Sequence, residues 1–282
     1  MNILEEIIAN KRREIETPGY FQTLETVVEN LPHVLSRRSS AEADGTACTE
    51  CDGKPAREPA RDFVAALKAA PISLIAEVKR KSPSAGPIRE PFYPAAIVRD
   101  YEASGAQAIS CLMDAKYFGG GEAQWAAVHA ATSLPMLYKE FVIDPRQIFH
   151  AEALGASAVL LIVAALSDAE LKKYIRLTEA SGMTPLVEVH TAEEMKRAIV
   201  AGAECIGINN RNLKTFETKI ETTLELLKLA PKGCTLISES GIRSAADIKM
   251  LHEAGISAVL VGESLLRQAD IGAAVRALMN LS

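Results

Sequence analysis

Six residues with charged or amide side chains stand in or at the ends of short apolar runs: Glu77 and Lys79 in ISLIAEVK, Lys139 in PMLYKEF, Glu188 in TPLVEVH, Asn209 in CIGINNR and Glu239 in TLISESG. Burying a charge costs free energy unless it is paired, so the recurrence of charges at the same end of several runs calls for a polar site shared by them. Two ammonium groups gathered with three carboxylates could give and take protons from a bound molecule. Ser82, Phe141, Arg211, Ser240, Glu263 and Ser264 lie beside the same ends. Glu77 and Lys79 are two positions apart and so share one face of a strand. By themselves they read equally well as a structural ion pair closing the top of a barrel; Lys139 and Glu188 at the same end tip the balance toward a site.

A second chemistry is suggested by SESGIRSAAD and VGESLL, where Gly241 and Gly262 are followed by small or polar residues just ahead of a helix. Backbone N–H groups at a helix start point at an anion, and glycine lets it come close, so the pair suits a phosphate. Ser240 and Glu263 belong to these segments, and Lys79 could add charge from across the mouth. A carboxylate repels phosphate, so the backbone N–H of Glu263 is expected to serve there.

The elements that must position these groups form eight short apolar runs, over 72–79, 108–113, 135–141, 158–166, 184–190, 205–211, 235–241 and 258–264. Between them lie segments of helical period, such as PAAIVRDYEASG and TAEEMKRAIVAG, several ending in the glycine that favours a helix C-terminus. Thr191 with Glu194 forms a capping-box pattern, and Ser167 or Asp168 and Ser244 are further N-cap candidates. Strands apolar on both faces and alternating eightfold with helices predict an α/β fold, a closed parallel (β/α)8 TIM barrel. An open doubly wound sheet is disfavoured, because the first run leads into KRKSPSAGP and not into a glycine-rich dinucleotide turn.

Ile3, Leu4, Ile7, Ile8 and Ile15 predict an amphipathic helix ahead of the repeat. The whole chain, 1–282, is read as one barrel domain: an N-terminal helical extension over 1–35, a polar linker or insertion over 36–61, and the barrel over 62–282. Cys48 and Cys51 form a C-x-x-C in that linker without a second ligand pair, which favours an incidental pair over a metal or redox site. A net charge of −5 gives no footprint for nucleic acid. No apolar run has membrane-spanning length, the N-terminus does not read as a secretory signal, and five cysteines suggest no disulfide framework, so a cytoplasmic location is expected.

At these residues the chain resembles the indole-3-glycerol phosphate synthase family. The matching segments are IAEVKRKSPSAGPI, KYFGGG, LYKEFVIDPRQI, GASAVLLIVAAL, PLVEVH, IGINNRNLKTF and ISESGIRSAADI, from about residue 60 to the end, together with KRREI in the N-terminal helix. The resemblance implies a decarboxylating, dehydrating ring closure of a phosphorylated carboxyphenylamino-deoxyribulose, with no metal and no other cofactor. It implies Lys139 as the catalytic lysine, Lys79 as its partner, Glu188 as the acid/base of dehydration and Glu77 as the carboxylate orienting Lys79. Asn209 and Glu239 become further polar contacts, Ser82 and Arg211 contacts to the substrate carboxylate, and Phe118, Phe141 and Leu160 the slot for its aromatic ring. Ser240, Gly241, Gly262 and Glu263, with Lys79, match the phosphate grip. The chain departs from the family at Met113, where a threonine is usual, and in the length and polarity of the 36–61 segment.

Two other readings are weighed. A phosphoribosylanthranilate isomerase-like barrel would share the phosphate loops, but its cysteine and aspartate are missing from the strand ends. A non-catalytic phospholigand-binding barrel would be favoured had Glu77, Lys79, Lys139 or Glu188 been lost, and all four are present. The expected partner is a phosphorylated small molecule, without nucleic acid or membrane, in a monomer or homodimer.

Overall fold

The computed structural model describes residues 2–18, 20, 61–212 and 217–280. Eight parallel strands close into one barrel: β1 (Ser73–Val78), β2 (Ala108–Leu112), β3 (Met136–Lys139), β4 (Ala158–Ile162), β5 (Thr184–Val189), β6 (Cys205–Asn209), β7 (Thr235–Glu239) and β8 (Ala258–Val261), with β8 paired to β1. The eight runs therefore became eight strands. Their ends differ from expectation in a consistent way: the run over 158–166 stops as strand at Ile162, and Val163–Ala165 turn in a 3-10 helix that still buries Val163. Apolarity there reflects packing rather than strand. Phe141 and Arg211 lie past their strands, and Glu263 and Ser264 open a short helix after β8.

Alternation explains why both faces are apolar. Inward-facing Ile75, Ala108, Leu137, Leu160, Leu186, Ile237 and Leu260 fill the barrel, joined by Phe63 and Leu67 of a short helix, α2 (Phe63–Leu67). Outward-facing Leu74, Ala76, Val159, Leu161, Val187 and Val259 pack under the helical layer. Met113 belongs to that outer layer, whereas its neighbour Leu112 lines the barrel mouth, so the departure at 113 takes no polar group from the mouth.

The outer helices are α3 (Pro94–Ala103), α4 (Ala115–Phe118), α5 (Glu122–His129), α6 (Pro145–Ala153), α7 (Asp168–Ala180), α8 (Ala192–Ala201), α9 (Glu221–Leu226), α10 (Ala245–Glu253), α11 (Glu263–Leu266) and α12 (Ile271–Leu278). Ser167 and Ser244 cap α7 and α10 in reciprocal boxes with Glu170 and Asp247. At α8 only half of the expected box forms. Thr191 accepts from the Glu194 N–H, while the Glu194 carboxylate turns to the backbone N–H of His190 at 2.7 Å. Gly105, Gly155, Gly182, Gly202 and Gly255 end their helices with φ between 74° and 97°, the conformation glycine adopts without a Cβ penalty.

The N-terminal helix, α1 (Ile3–Glu14), is capped by Asn2 in a box with Glu5. It lies over the C-terminal mouth of the barrel, where Ile3, Leu4 and Ile7 face the cavity. Its Lys11, one residue of KRREI, is 1% exposed and is ringed by Glu14, Asp114 and Glu140 at 2.7, 3.1 and 3.0 Å. Tyr117 donates to Glu6 and Lys116 to Asn10, so the α4 region also holds the helix. Most of the linker expected over 36–61, with Cys48 and Cys51, lies outside the described residues, as do 21–35 of the extension. No helix among the described residues is long and apolar enough to cross a membrane.

Candidate active site

Because parallel strands all point their C-terminal ends one way, the last inward residue of each strand meets the others at one mouth. There a cavity of about 590 Å³ is lined by Glu77, Lys79, Lys139, Glu188, Asn209 and Glu239. The Lys139 ammonium stands between two carboxylates, 2.5 Å from Glu239 and 3.4 Å from Glu188. Lys79 Nζ lies 2.5 Å from Glu77 Oε1, on the face the two-residue spacing dictates. Asn209 and Glu239 are register partners, and so are Glu188 and Gly207.

Two glycines, one on β6 and one just past β8, make the crowding of carboxylates feasible. A Cβ at Gly207 would lie 2.1 Å from Glu239 Oε1, and one at Gly262 2.8 Å from Glu77 Oε1. Gly262 thus has a packing duty at the β1/β8 seam in addition to lining the cavity.

Environment divides the acids. Burial opposes ionisation of Glu77, but Lys79, then Lys139 and Arg211, outweigh it and hold the carboxyl below its usual range. Burial likewise opposes ionisation of Glu188, and Lys139, His190 and a hydrogen bond from Asn209 overcome it, so Glu188 is held as a carboxylate. Glu239 goes the other way: burial pushes it up to about 7, Lys139 opposing and the charges of Glu188 and Glu77 adding to the rise. One ammonium cannot fully compensate two buried carboxylates, and Glu188 has the additional partners. Lys139 itself loses by burial but is raised by Glu239, Glu188 and Glu77, and stays charged.

An apolar slot adjoins the charged floor. The rings of Phe118 and Phe141 stand 6.0 Å apart at 35°, Leu160 and Leu112 lie in the same lining, and Ile3, Leu4 and Ile7 add apolar surface from α1. On another side Ser240, Gly241, Gly262 and Glu263 line the cavity, with Arg243 and Arg267 beside them. The Glu263 carboxylate is taken by Arg267 at 2.9 Å. Asn210 organises this side: it donates to Ser238 Oγ and to the Ser240 carbonyl and accepts from Thr223. Ser240 is held at φ 67°.

The sequence-predicted residues converge here, with Ser82 as the exception. Its hydroxyl is buried and accepts from the Ala85 N–H within its own turn, and Ser84 lines the cavity instead, accepting from Arg211 Nη1 at 2.9 Å. Sequence reasoning missed Ser84, the two flanking arginines and the α1 side chains. The apolar stripe of α1 was a signal that it had a partner surface, without saying which.

The match to known proteins follows this geometry. The family model for indole-3-glycerol phosphate synthase matches residues 24–278. The chain is 43% identical to the indole-3-glycerol phosphate synthase of Acidithiobacillus ferrooxidans, covering 98% of this chain and 97% of that one. It is 48% identical to the enzyme of that name from Carboxydothermus hydrogenoformans, over 74% of this chain and 79% of the relative. Among solved structures, N-acetylmannosamine-6-phosphate 2-epimerase from Clostridium perfringens superposes with a TM-score of 0.57 at 15% identity, over 78% of this chain and 93% of that chain, a likeness of fold alone. Eight strands, a mouth that gathers two lysines with three glutamates, and relatives matched along nearly the full chain place this protein in the indole-3-glycerol phosphate synthase family.

Proposed function

We propose that Lys139 is the general acid of the ring closure and Glu188 the base of the dehydration that follows. The activity is that of the family: 1-(2-carboxyphenylamino)-1-deoxyribulose 5-phosphate closes on its own aromatic ring, losing carbon dioxide and water, to give indole-3-glycerol phosphate in tryptophan biosynthesis. The ring carbon bearing the carboxylate attacks the ketone, and the electron pair of the broken carbonyl π bond takes a proton from Lys139. Carbon dioxide leaves and its bonding electrons restore the aromatic ring. The hydroxyl then departs as water, assisted by the anilino nitrogen, and Glu188 removes the remaining C–H proton to give the indole.

Lys79, aligned by Glu77, is the second ammonium available to the departing hydroxyl and adds charge to the phosphate grip. Phe118, Phe141 and Leu160 hold the ring, Arg211 takes the substrate carboxylate, and Ser240, Gly241, Gly262 and the Glu263 backbone hold the phosphate. A phosphorylated small-molecule partner and a cytoplasmic location accord with this reading.

The observation that carries it is the position of Lys139 between the carboxyl groups of Glu188 and Glu239 beside the aromatic slot, with Glu188 held ionised and Glu239 raised by burial. The test is to incubate purified protein with the carboxyphenylamino substrate and follow indole fluorescence and carbon dioxide release. Lys139→Ala is expected to lower turnover by at least about a hundredfold, the scale of losing a positioned acid. A wild-type protein inactive in this assay overturns the reading, and a variant of near-normal rate overturns the role of Lys139.

A further inference from the structure

His190 follows β5 directly and sits behind Glu188, outside the set of groups that face the substrate. Its Nε2 lies 3.4 Å from Glu188 Oε1, while the other oxygen of that carboxylate lies 3.4 Å from Lys139. On its far side Glu194 of α8 approaches Nδ1 at 3.2 Å with the same oxygen that accepts the His190 backbone N–H at 2.7 Å. The imidazole is 10% exposed, and its Nε2 has no hydrogen-bond partner of good geometry among the described residues. A carboxylate on Nδ1 fixes that nitrogen as a donor. In the neutral ring Nε2 would then point a lone pair at the Glu188 oxygen, whereas the imidazolium points an N–H there. We infer that His190, anchored by Glu194, is a positioning residue that holds the Glu188 carboxylate from the side opposite Lys139.

The acids that face the ring favour this arrangement, while the Lys139 ammonium lies on the far side of Glu188. Burial lowers the imidazole pKa, but Glu194, Glu188 and, from β7, Glu239 outweigh it and raise it. The turn after β4 contributes only Val163, Ala164 and Ala165, and the Arg197 guanidinium of α8 is engaged by Asp168 and the carbonyls of Val163 and Leu166. Glu188 thus stands between the Lys139 ammonium and an imidazole that is a second cation when protonated. Removing one leaves it more easily protonated, so its base form appears at higher pH. The abandoned half of the Thr191 capping box also makes sense, because Glu194 bonds the histidine instead of the helix cap.

The inference rests on Glu188 being the base, and the experiment separates the two claims. In His190→Asn, kcat is expected to fall about tenfold with KM little changed, and the acidic limb of the kcat profile to move up by about one pH unit. Glu194→Gln is expected to move the limb the same way by less. Titration of the His190 imidazole followed by nitrogen NMR, the signal being assigned by its loss in His190→Asn, is expected to show a lower pKa in Glu188→Gln. Wild-type kcat and profile in His190→Asn overturn the inference, as does a slower variant whose profile has not moved, the mark of a merely structural histidine. A histidine titration unmoved by Glu188→Gln overturns the contact itself. Wild-type turnover in Glu188→Gln overturns the role of Glu188, and with it any positioning for catalysis, even if the titration moves.

Discussion

The Lys11 ammonium lies 3.0 Å from the carboxylate of Glu140, the residue that follows Lys139 in the chain. Through this contact, and through Asp114 at 3.1 Å, helix α1 is fastened to the end of the strand that carries Lys139 and to the cap of the helix that carries Phe118. Lys11→Met leaves the acids without their cation. It is expected to cost at least about 3 kcal/mol of stability by urea denaturation, the scale for removing one member of a buried pair. Turnover at low substrate is expected to fall too, as Ile3, Leu4 and Ile7 lose their seat. A variant as stable as wild type would deny the contact its weight.

Stability should depend on pH through the same cluster. Burial pushes Glu140 up to about 7 from 4.5, Lys11 opposing and Asp114 adding to the rise. A carboxyl raised in the fold contributes stability that is complete below its unfolded value and is lost as pH rises through about 7, and Glu239 acts in the same sense. Glu77 and Glu188 are depressed, so their contribution is present above 4.5 and lost as pH falls through their lowered values. Glu140→Gln keeps the acceptor for the Phe141 N–H and cannot ionise. Its melting temperature is expected to fall less than that of wild type between about pH 5.5 and about pH 8.5; parallel curves would contradict this.

Gly207→Ala tests whether the floor of the cavity depends on an absent side chain. The added methyl would meet Glu239 Oε1, while the other oxygen of that carboxylate holds Lys139, so the carboxylate must shift from its present position. A loss of about 1–3 kcal/mol from overpacking is expected. A kcat at least about tenfold lower is expected alongside it, since a shifted Glu239 no longer holds the Lys139 ammonium in its present geometry. Unchanged turnover would show that Glu239 can relocate without consequence.

Ser240 combines a strained backbone with a place in the cavity lining, where its hydroxyl is proposed to meet the phosphate. At φ 67° a side chain is disfavoured, so Ser240→Gly should gain about 1 kcal/mol where Ser240→Ala gains nothing. Both remove the hydroxyl and should raise KM similarly. A KM rise confined to one of them would assign the effect to the backbone.

The barrel and most of its floor were legible because charges standing in apolar runs are costly, and Glu77, Lys139, Glu188 and Glu239 advertise themselves that way. Lys11 did not. In KRREI it looks like any surface charge, and only the fold reveals the acids brought from residues 114 and 140. Ser84 rather than Ser82 faces the cavity because the turn between them decides which hydroxyl points inward, and no periodicity reports that. Gly207 reads as an ordinary strand residue until its neighbour's carboxylate is seen beside it. His190 was in plain view in PLVEVH, yet its meaning depends on Glu194, which the sequence pattern assigned to a helix cap.

The seam between β1 and β8 has a consequence for how the protein comes into being. Glu77 from the first strand and Gly262 from just beyond the last lie against each other, so neither half of the chain can assemble the mouth without the other. During synthesis, the early strands leave the ribosome long before β8 does. The nascent chain must hold Glu77 and its neighbours without a finished cavity, and the first turnover waits until β8 and Gly262 have been made.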